Sequence, residues 1–417
     1  MKKIKILTLS DHPLHPSGVA HQTKNMIEAM LRTGKYQFVS LGGAIKHQDY
    51  RPVKTEEFQE DWVIHPVDGY GTQDQIRSIL RQTRPDILWF MTDPRYYAWL
   101  WEIEDEVRTN VPMVYYHVWD NFPAPTYNEP FYSSNDVIVT ISKVTDEVVR
   151  EVVPNVDTVY LPHAVDTEVF KKYDDFDVKE FKRNYFGDEN KFLFFWNNRN
   201  ARRKQSGSLI FWFKSFLDRV GHDKATLLMH TEVKDPNGQD LVAIISHLGL
   251  TEGQVVFSEQ KMPAVDLAKI YNAADAVVSI SDAEGFGLSI VEAKACETPV
   301  IVTKTGGMGQ QVVDDNGNLL GYGIEPCSKA IIGSQQIPFI YEDRTCEKDV
   351  VRALEAIYGL SSDERQELGR LARADVMKNY SYEFFCNKWD EVLQGVHDKY
   401  GSWENRKGYN RWEFKEL

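Results

Sequence analysis

Along the chain, short runs of β-branched and aromatic residues alternate with longer stretches whose apolar positions recur at helical spacing. Residues 4–9 are the first run, and within 19–31 the side chains of Ile27, Met30 and Leu31 fall on one helical face. Further strands are predicted at 38–41, 87–91, 113–116, 137–141 and 158–161, with helices near 73–83, 96–108 and 144–152. Such alternation builds βαβ units around a parallel sheet. Between 166 and 190 the strand character gives way to charge, including Lys171, Lys172, Asp174, Asp175 and Asp177, and a domain junction is placed there. A second α/β series begins at 192–196 and continues through 209–219, 226–230, 241–248, 255–257, 264–273, 276–280, 288–296 and 299–302. Residues 322–341 are aperiodic and hold Pro326, Gly333 and Pro338, which reads as a long loop or insertion with a short strand near 339–341. Helices follow at 347–358, 363–379 and 382–396, ahead of a tail carrying Trp403, Arg406, Lys407, Tyr409, Arg411 and Trp412.

A length of 417 residues holds two or three domains, each large enough for its own core. No apolar run approaches the ~20 residues that cross a bilayer. The stretch after Met1-Lys2-Lys3 is too short for a signal core and is cut by Asp11, His12 and Pro13, so it reads as the first strand of a cytoplasmic protein. Cys296, Cys327, Cys346 and Cys386 show neither pairing nor metal spacing, as expected of reduced thiols. A formal charge of −14 disfavours general attraction to nucleic acid or anionic lipid but leaves room for one basic patch, at 199–204.

Two segments carry the candidate chemistry. In 282–293 (DAEGFGLSIVEA) a strand leads through Gly285 and Gly287 into a helix, with Glu284 and Glu292 separated by seven residues. Glycines admit close backbone approach, helix-start amides favour phosphate, and an ionised carboxylate accepts from a pair of hydroxyls. An ordinary strand, glycine turn and helix with solvated glutamates has the same pattern. In 194–204 (FFWNNRNARRK) cations follow the first strand of the second lobe, at the carboxyl edge where open α/β sheets bind ligands. Arg199 and Lys204 there suit a diphosphate leaving group, by a planar fork of donors and a compact charge. No Asp-x-Asp motif adjoins these residues, and no bound metal or cofactor is expected.

With these residues in view, the chain resembles the retaining family-4 glycosyltransferases of the GT-B fold. The resemblance covers the first strand with Ser17-Gly18, the pairs Arg199 with Lys204 and Glu284 with Glu292, the turn Thr305-Gly306-Gly307, and the junction-like segment from Pro162 to Phe170. It implies two Rossmann-like, doubly wound parallel-sheet α/β domains facing a central cleft, with the last helix crossing back to the first lobe. The domains are then 1–170 with 381–417 on the acceptor side and 188–380 on the donor side. It further implies that Arg199 and Lys204 hold the diphosphate of a UDP-, GDP- or ADP-sugar, that Glu284 meets the transferred sugar and Glu292 the ribose. Gly18, Gly285, Phe286, Gly287 and Leu288 complete the donor contacts. His117 is expected to face the reaction centre and to count, with Arg199, Lys204 and Glu284, among the catalytic groups. Asp120 is expected to orient it, and Asp93 joins them on the acceptor side. Two departures stand out: Ser-Gly replaces the usual glycine pair of the first loop, and residues 321–344 exceed the family's usual length.

A dinucleotide oxidoreductase is excluded by the missing three-glycine fingerprint, and no P-loop is present. The aromatic segment around Trp89, Tyr96, Tyr97, Trp99 and Trp101, with Arg95, suits a carbohydrate or other hydroxyl acceptor. A modified base in DNA is the less favoured acceptor, given the acidic chain. A sugar-nucleotide epimerase and a non-catalytic sugar-nucleotide-binding protein are the alternatives from other classes.

Overall fold

The computed structural model describes residues 2–410, so Arg411 and Trp412 of the tail lie outside the described residues. The chain divides into two units, with boundaries between His163 and Ala164 and between Tyr382 and Glu383.

The first unit contains strands β1 (Ile4–Asp11), β2 (Tyr36–Gly43), β3 (Val53–Lys54), β4 (Trp62–Pro66), β5 (Ile87–Met91), β6 (Met113–His117), β7 (Val137–Thr140) and β8 (Asp157–Tyr160). Its helices are α1 (Gly18–Arg32), α2 (Gln73–Thr83), α3 (Ala98–Trp101), α4 (Glu104–Arg108), α5 (Glu129–Ser133) and α6 (Lys143–Val152). The sheet order is β3-β4-β2-β1-β5-β6-β7-β8, parallel except for β3 against β4. The chain winds outward on one side of β1 and then returns to add β5 on the other, so the order reverses between these two strands. Strand β5 is buried along its whole length. Leu88 and Phe90 join the core on one face, while Trp89 meets Trp389 edge-to-face at 5.9 Å.

The second unit contains α7 (Val178–Phe186), β9 (Phe192–Asn197), α8 (Ser206–Val220), β10 (Ala225–His230), α9 (Leu241–Leu248), β11 (Val255–Ser258), α10 (Ala264–Ala273), β12 (Ala276–Ser279), α11 (Leu288–Ala295) and β13 (Val300–Thr303). There follow α12 (Gly309–Val312), β14 (Tyr322–Ile324), β15 (Ser328–Ile332), β16 (Ile340–Arg344), α13 (Glu347–Tyr358) and α14 (Ser362–Asn379). Its sheet, β11-β10-β9-β12-β13-β14, is wholly parallel and reverses order between β9 and β12. The last helix, α15 (Tyr382–Tyr400), belongs to the first unit from Glu383 onward. There Trp389 packs on Trp89 and Tyr116, and Asp390 accepts hydrogen bonds from Lys35 Nζ (2.6 Å) and Tyr36 Oη (2.7 Å).

Four local expectations are corrected. The pattern predicts one helix over 96–108, but the chain forms a 3-10 turn, α3 and α4 with a break at Glu102 and Ile103. Tertiary contacts override local propensity here: Tyr97 Oη donates to the carbonyls of Leu9 and Met91, and Trp101 stacks on Phe131. Strand β4 has no counterpart in the predicted set. The stretch 166–190 is more than a linker, because Asp177 caps α7 and Gly187 closes it at φ +73°. Residues 322–341 likewise hold a sixth sheet strand, β14, and most of the antiparallel β15–β16 hairpin.

Candidate functional site

Strand order reverses between β9 and β12, and ligands of open α/β sheets bind outside the carboxyl ends of the strands at such a reversal. The loop after β9 is the basic run and the loop after β12 the acidic glycine turn, so tertiary topology brings together two segments eighty residues apart. Asp282 N–H donates to the Arg203 carbonyl at 2.8 Å, joining the loops through backbone. The loop after β13 closes on the same place, with Gly307 N–H donating to the Glu284 carbonyl at 3.0 Å. A Cβ on Gly307 would lie 2.3 Å from the Gly285 oxygen, so only glycine fits. Gly287 begins α11 in the left-handed region at φ +85°.

Lys204 is buried and its Nζ pairs with Glu284 Oε2. Arg203 Nη1 reaches the same oxygen at 3.3 Å and also donates to the Ala283 carbonyl. Burial opposes ionisation of Glu284, but Lys204 and Arg203 outweigh it and hold its carboxyl below the ordinary value. Arg199 stands elsewhere in the run. Its exposed side chain donates to Asp235 at 2.6 and 3.1 Å, so the structure pairs Lys204 with Arg203, where the motif pairs it with Arg199. The reason is local: the 3-10 turn Arg202–Lys204 turns the last two cations toward the β12 loop.

Glu292 lies in the second turn of α11, half-buried, with Tyr271 Oη donating to Oε2 at 2.7 Å. Burial pushes its carboxyl up to about 7, against the opposing hydrogen bond. Tyr271, wholly buried, in turn accepts from Asn197 Nδ2 at 2.9 Å. Phe286 turns inward against Tyr380, leaving its carbonyl to accept from Gln311, and Leu288 is half-buried. Helix α11 is anchored by Lys294, whose Nζ is fully buried between Asp375 (2.7 Å) and the Gln311 carbonyl (2.9 Å).

In the first unit, Gly18 is the exposed first residue of α1, capped by Ser17, which also donates to Asp11 Oδ2 at 2.5 Å. Asp93 caps the turn after β5 and holds Arg95 by two bonds of 2.9 Å. Beside it Thr92 takes φ +141°, a strained value for a β-branched residue. His117 ends β6 with no exposed surface. Its Nε2 lies 2.7 Å from the Oη of Tyr132 on α5. Nδ1 is buried without a hydrogen bond, and burial lowers the imidazole to about 3, so it is neutral at ordinary pH. Asp120 is half-buried.

Among the described residues no group of three or more His, Cys, Asp or Glu is placed to hold a metal ion, and no helix is long and apolar enough to cross a membrane. The motifs pass over Arg203, Tyr271 and the buried acids Asp282 and Glu342. Arg203 at least was visible as part of the basic run, whereas a tyrosine in an amphipathic helix and an acid in an aperiodic segment carry no signal of their own.

Two doubly wound sheets, with the last helix returning to the first unit, define the GT-B fold. Solved structures agree over nearly the full chain. Sucrose-phosphate synthase from Thermosynechococcus elongatus superposes with a TM-score of 0.74 at 15% identity, covering 95% of this chain and 100% of that one. Anabaena HepE in complex with UDP-glucose gives 0.69 at 16%, covering 94% and 100%. Residues 177–350 match the family model of the group 1 glycosyl transferases. Curated relatives include the D-inositol 3-phosphate glycosyltransferases of an Arthrobacter species, 35% identical over 114 residues, and of a Mycobacterium species, 41% over 75 residues. These matches cover 27% and 18% of this chain and only 26% and 17% of the relatives' lengths.

Proposed function

We propose that the protein transfers a glycosyl group from a nucleoside-diphosphate sugar to an acceptor hydroxyl with retention of anomeric configuration. The observation that carries this reading is the convergence of Lys204 and Arg203 on Glu284 at the order reversal of the second sheet, one helix start away from Glu292. In this reading Lys204 and Arg203 bind the diphosphate and stabilise the charge that grows on it as the bond from the anomeric carbon breaks. Arg199 joins them on leaving Asp235. Glu284 exchanges its cations for hydroxyls of the transferred sugar, and Glu292 accepts from the ribose.

The acceptor oxygen bonds to the anomeric carbon on the face the diphosphate leaves, and its proton passes to the departing phosphate oxygen. No side-chain base is required, in keeping with a buried, neutral His117. The likeness to HepE bound to UDP-glucose makes a UDP-sugar the first donor to test, and the inositol-phosphate relatives make a polyol the first acceptor class. A thermal-shift screen with UDP, GDP, ADP and their sugar conjugates tests the reading, since a ligand of the folded state raises the melting temperature. Stabilisation by one diphosphate, abolished in Glu292→Ala, is expected; no response to any of them refutes it. Incubation with donor alone then separates a transferase, giving slow hydrolysis, from an epimerase, giving a changed sugar.

A further inference from the structure

The extra segment after β14 folds into the β15–β16 hairpin, and its base is wired into the two loops of the candidate donor site. Asp343 N–H donates to the Asp282 carbonyl at 2.9 Å. Asp282 precedes Glu284 by two residues and is fully buried, as is Glu342 on the hairpin. Arg202 grips Glu342 with two bonds of 2.9 and 2.6 Å, and Arg344 bridges Glu342 (2.8 Å) and Asp282. Gln205 Nε2 donates to Asp282 Oδ2 at 2.6 Å. Two carboxylates and two guanidiniums thus form a closed set of opposite charges. Arg202 is the residue immediately before Arg203 and Lys204, so a bidentate hold on its guanidinium fixes the 3-10 turn from which both project.

We infer that Glu342 is a positioning residue: by clamping Arg202 to the hairpin base it aims Arg203 and Lys204 at the donor diphosphate, an inference that rests on the proposed donor site. The tip of the hairpin, where Ile331 is exposed, has no part in this.

The test is calorimetric binding of UDP, GDP and ADP, and of the matching nucleoside monophosphates, to wild type, Glu342→Gln, Arg202→Gln and the tip variant Ile331→Ser. Arg202 is more than half exposed, so its variant keeps the question open where Glu342→Gln fails to fold. For the diphosphate that wild type binds, Glu342→Gln and Arg202→Gln are expected to raise the dissociation constant tenfold or more. The monophosphate should change less than threefold, and Ile331→Ser should match wild type in both. Unchanged diphosphate affinity in a folded Glu342→Gln or Arg202→Gln overturns the inference, as does equal loss of both ligands, which is the mark of a merely structural contact. Wild type that binds none of the three diphosphates refutes the donor-site reading itself, and the inference with it.

Discussion

Replacing Tyr271 by phenylalanine should make donor binding depend on pH in a way that identifies the role of Glu292. The carboxyl of Glu292 is raised to about 7 by burial, and the Tyr271 hydroxyl 2.7 Å from Oε2 works against that rise. Ribose hydroxyls are donors, and only the ionised carboxylate offers all its lone pairs to them. The folded-state pKa is raised, so protonation sets in as pH falls through about 7, and nucleotide affinity falls with it. Well below that point the loss is about tenfold per pH unit for one linked proton. A hydrogen bond to a charged acceptor contributes about 1.5–3 kcal/mol, equivalent to about one to two pKa units. Tyr271→Phe therefore raises the midpoint, costs about five- to fiftyfold in affinity at neutral pH, and recovers toward wild type in alkali. Calorimetric titration with the bound diphosphate between about pH 5.5 and 9.5 measures this. Glu292→Gln, which does not titrate, serves to subtract the ionisation of the phosphates near pH ~6. A variant-to-wild-type ratio that stays constant across the range, or a wild-type profile identical to that of Glu292→Gln, would refute the reasoning.

Other consequences follow from single contacts. Lys204→Ala should lower kcat by about two to three orders of magnitude, the range for removing one group aimed at developing transition-state charge; full activity would sink the site assignment. Asp375→Asn strands the buried Lys294 ammonium and should cost about 3–5 kcal/mol of unfolding free energy near neutral pH. Burial already lowers the Lys294 pKa against the pull of Asp375, so in the variant the penalty should shrink as pH rises and the lysine deprotonates; denaturant melts at pH ~7 and ~9.5 check the sign. Trp389→Ala empties a fully buried site between α15 and the first sheet and should cost about 3–5 kcal/mol, read as a lower urea midpoint.

The sequence by itself determined what local rules can reach. Runs such as 87–91 and 192–196 announce buried strands because a strand covered on both faces must be apolar throughout. The alternation with helices announces parallel sheets, and Glu284, Gly285, Gly287 and Glu292 stand in one short segment where spacing is informative. Strand β4 and the first strand of the hairpin were missed, although the second strand of the hairpin overlaps the strand expected near 339–341, because so short a run offers too few positions to establish a period.

Tertiary structure alone decided which of these residues meet. Arg199 to Lys204 form one basic run in the sequence, yet Arg199 goes to Asp235, Arg202 to Glu342, and Arg203 with Lys204 to Glu284. Each choice depends on an acid tens of residues away, delivered by the loop after β10, the loop after β12 or the hairpin. The ionisation of Glu292 and His117 is likewise unreadable from their neighbours in the chain. It is set by how completely the fold removes them from water and, for Glu292, by the single Tyr271 hydroxyl that it places beside the carboxylate.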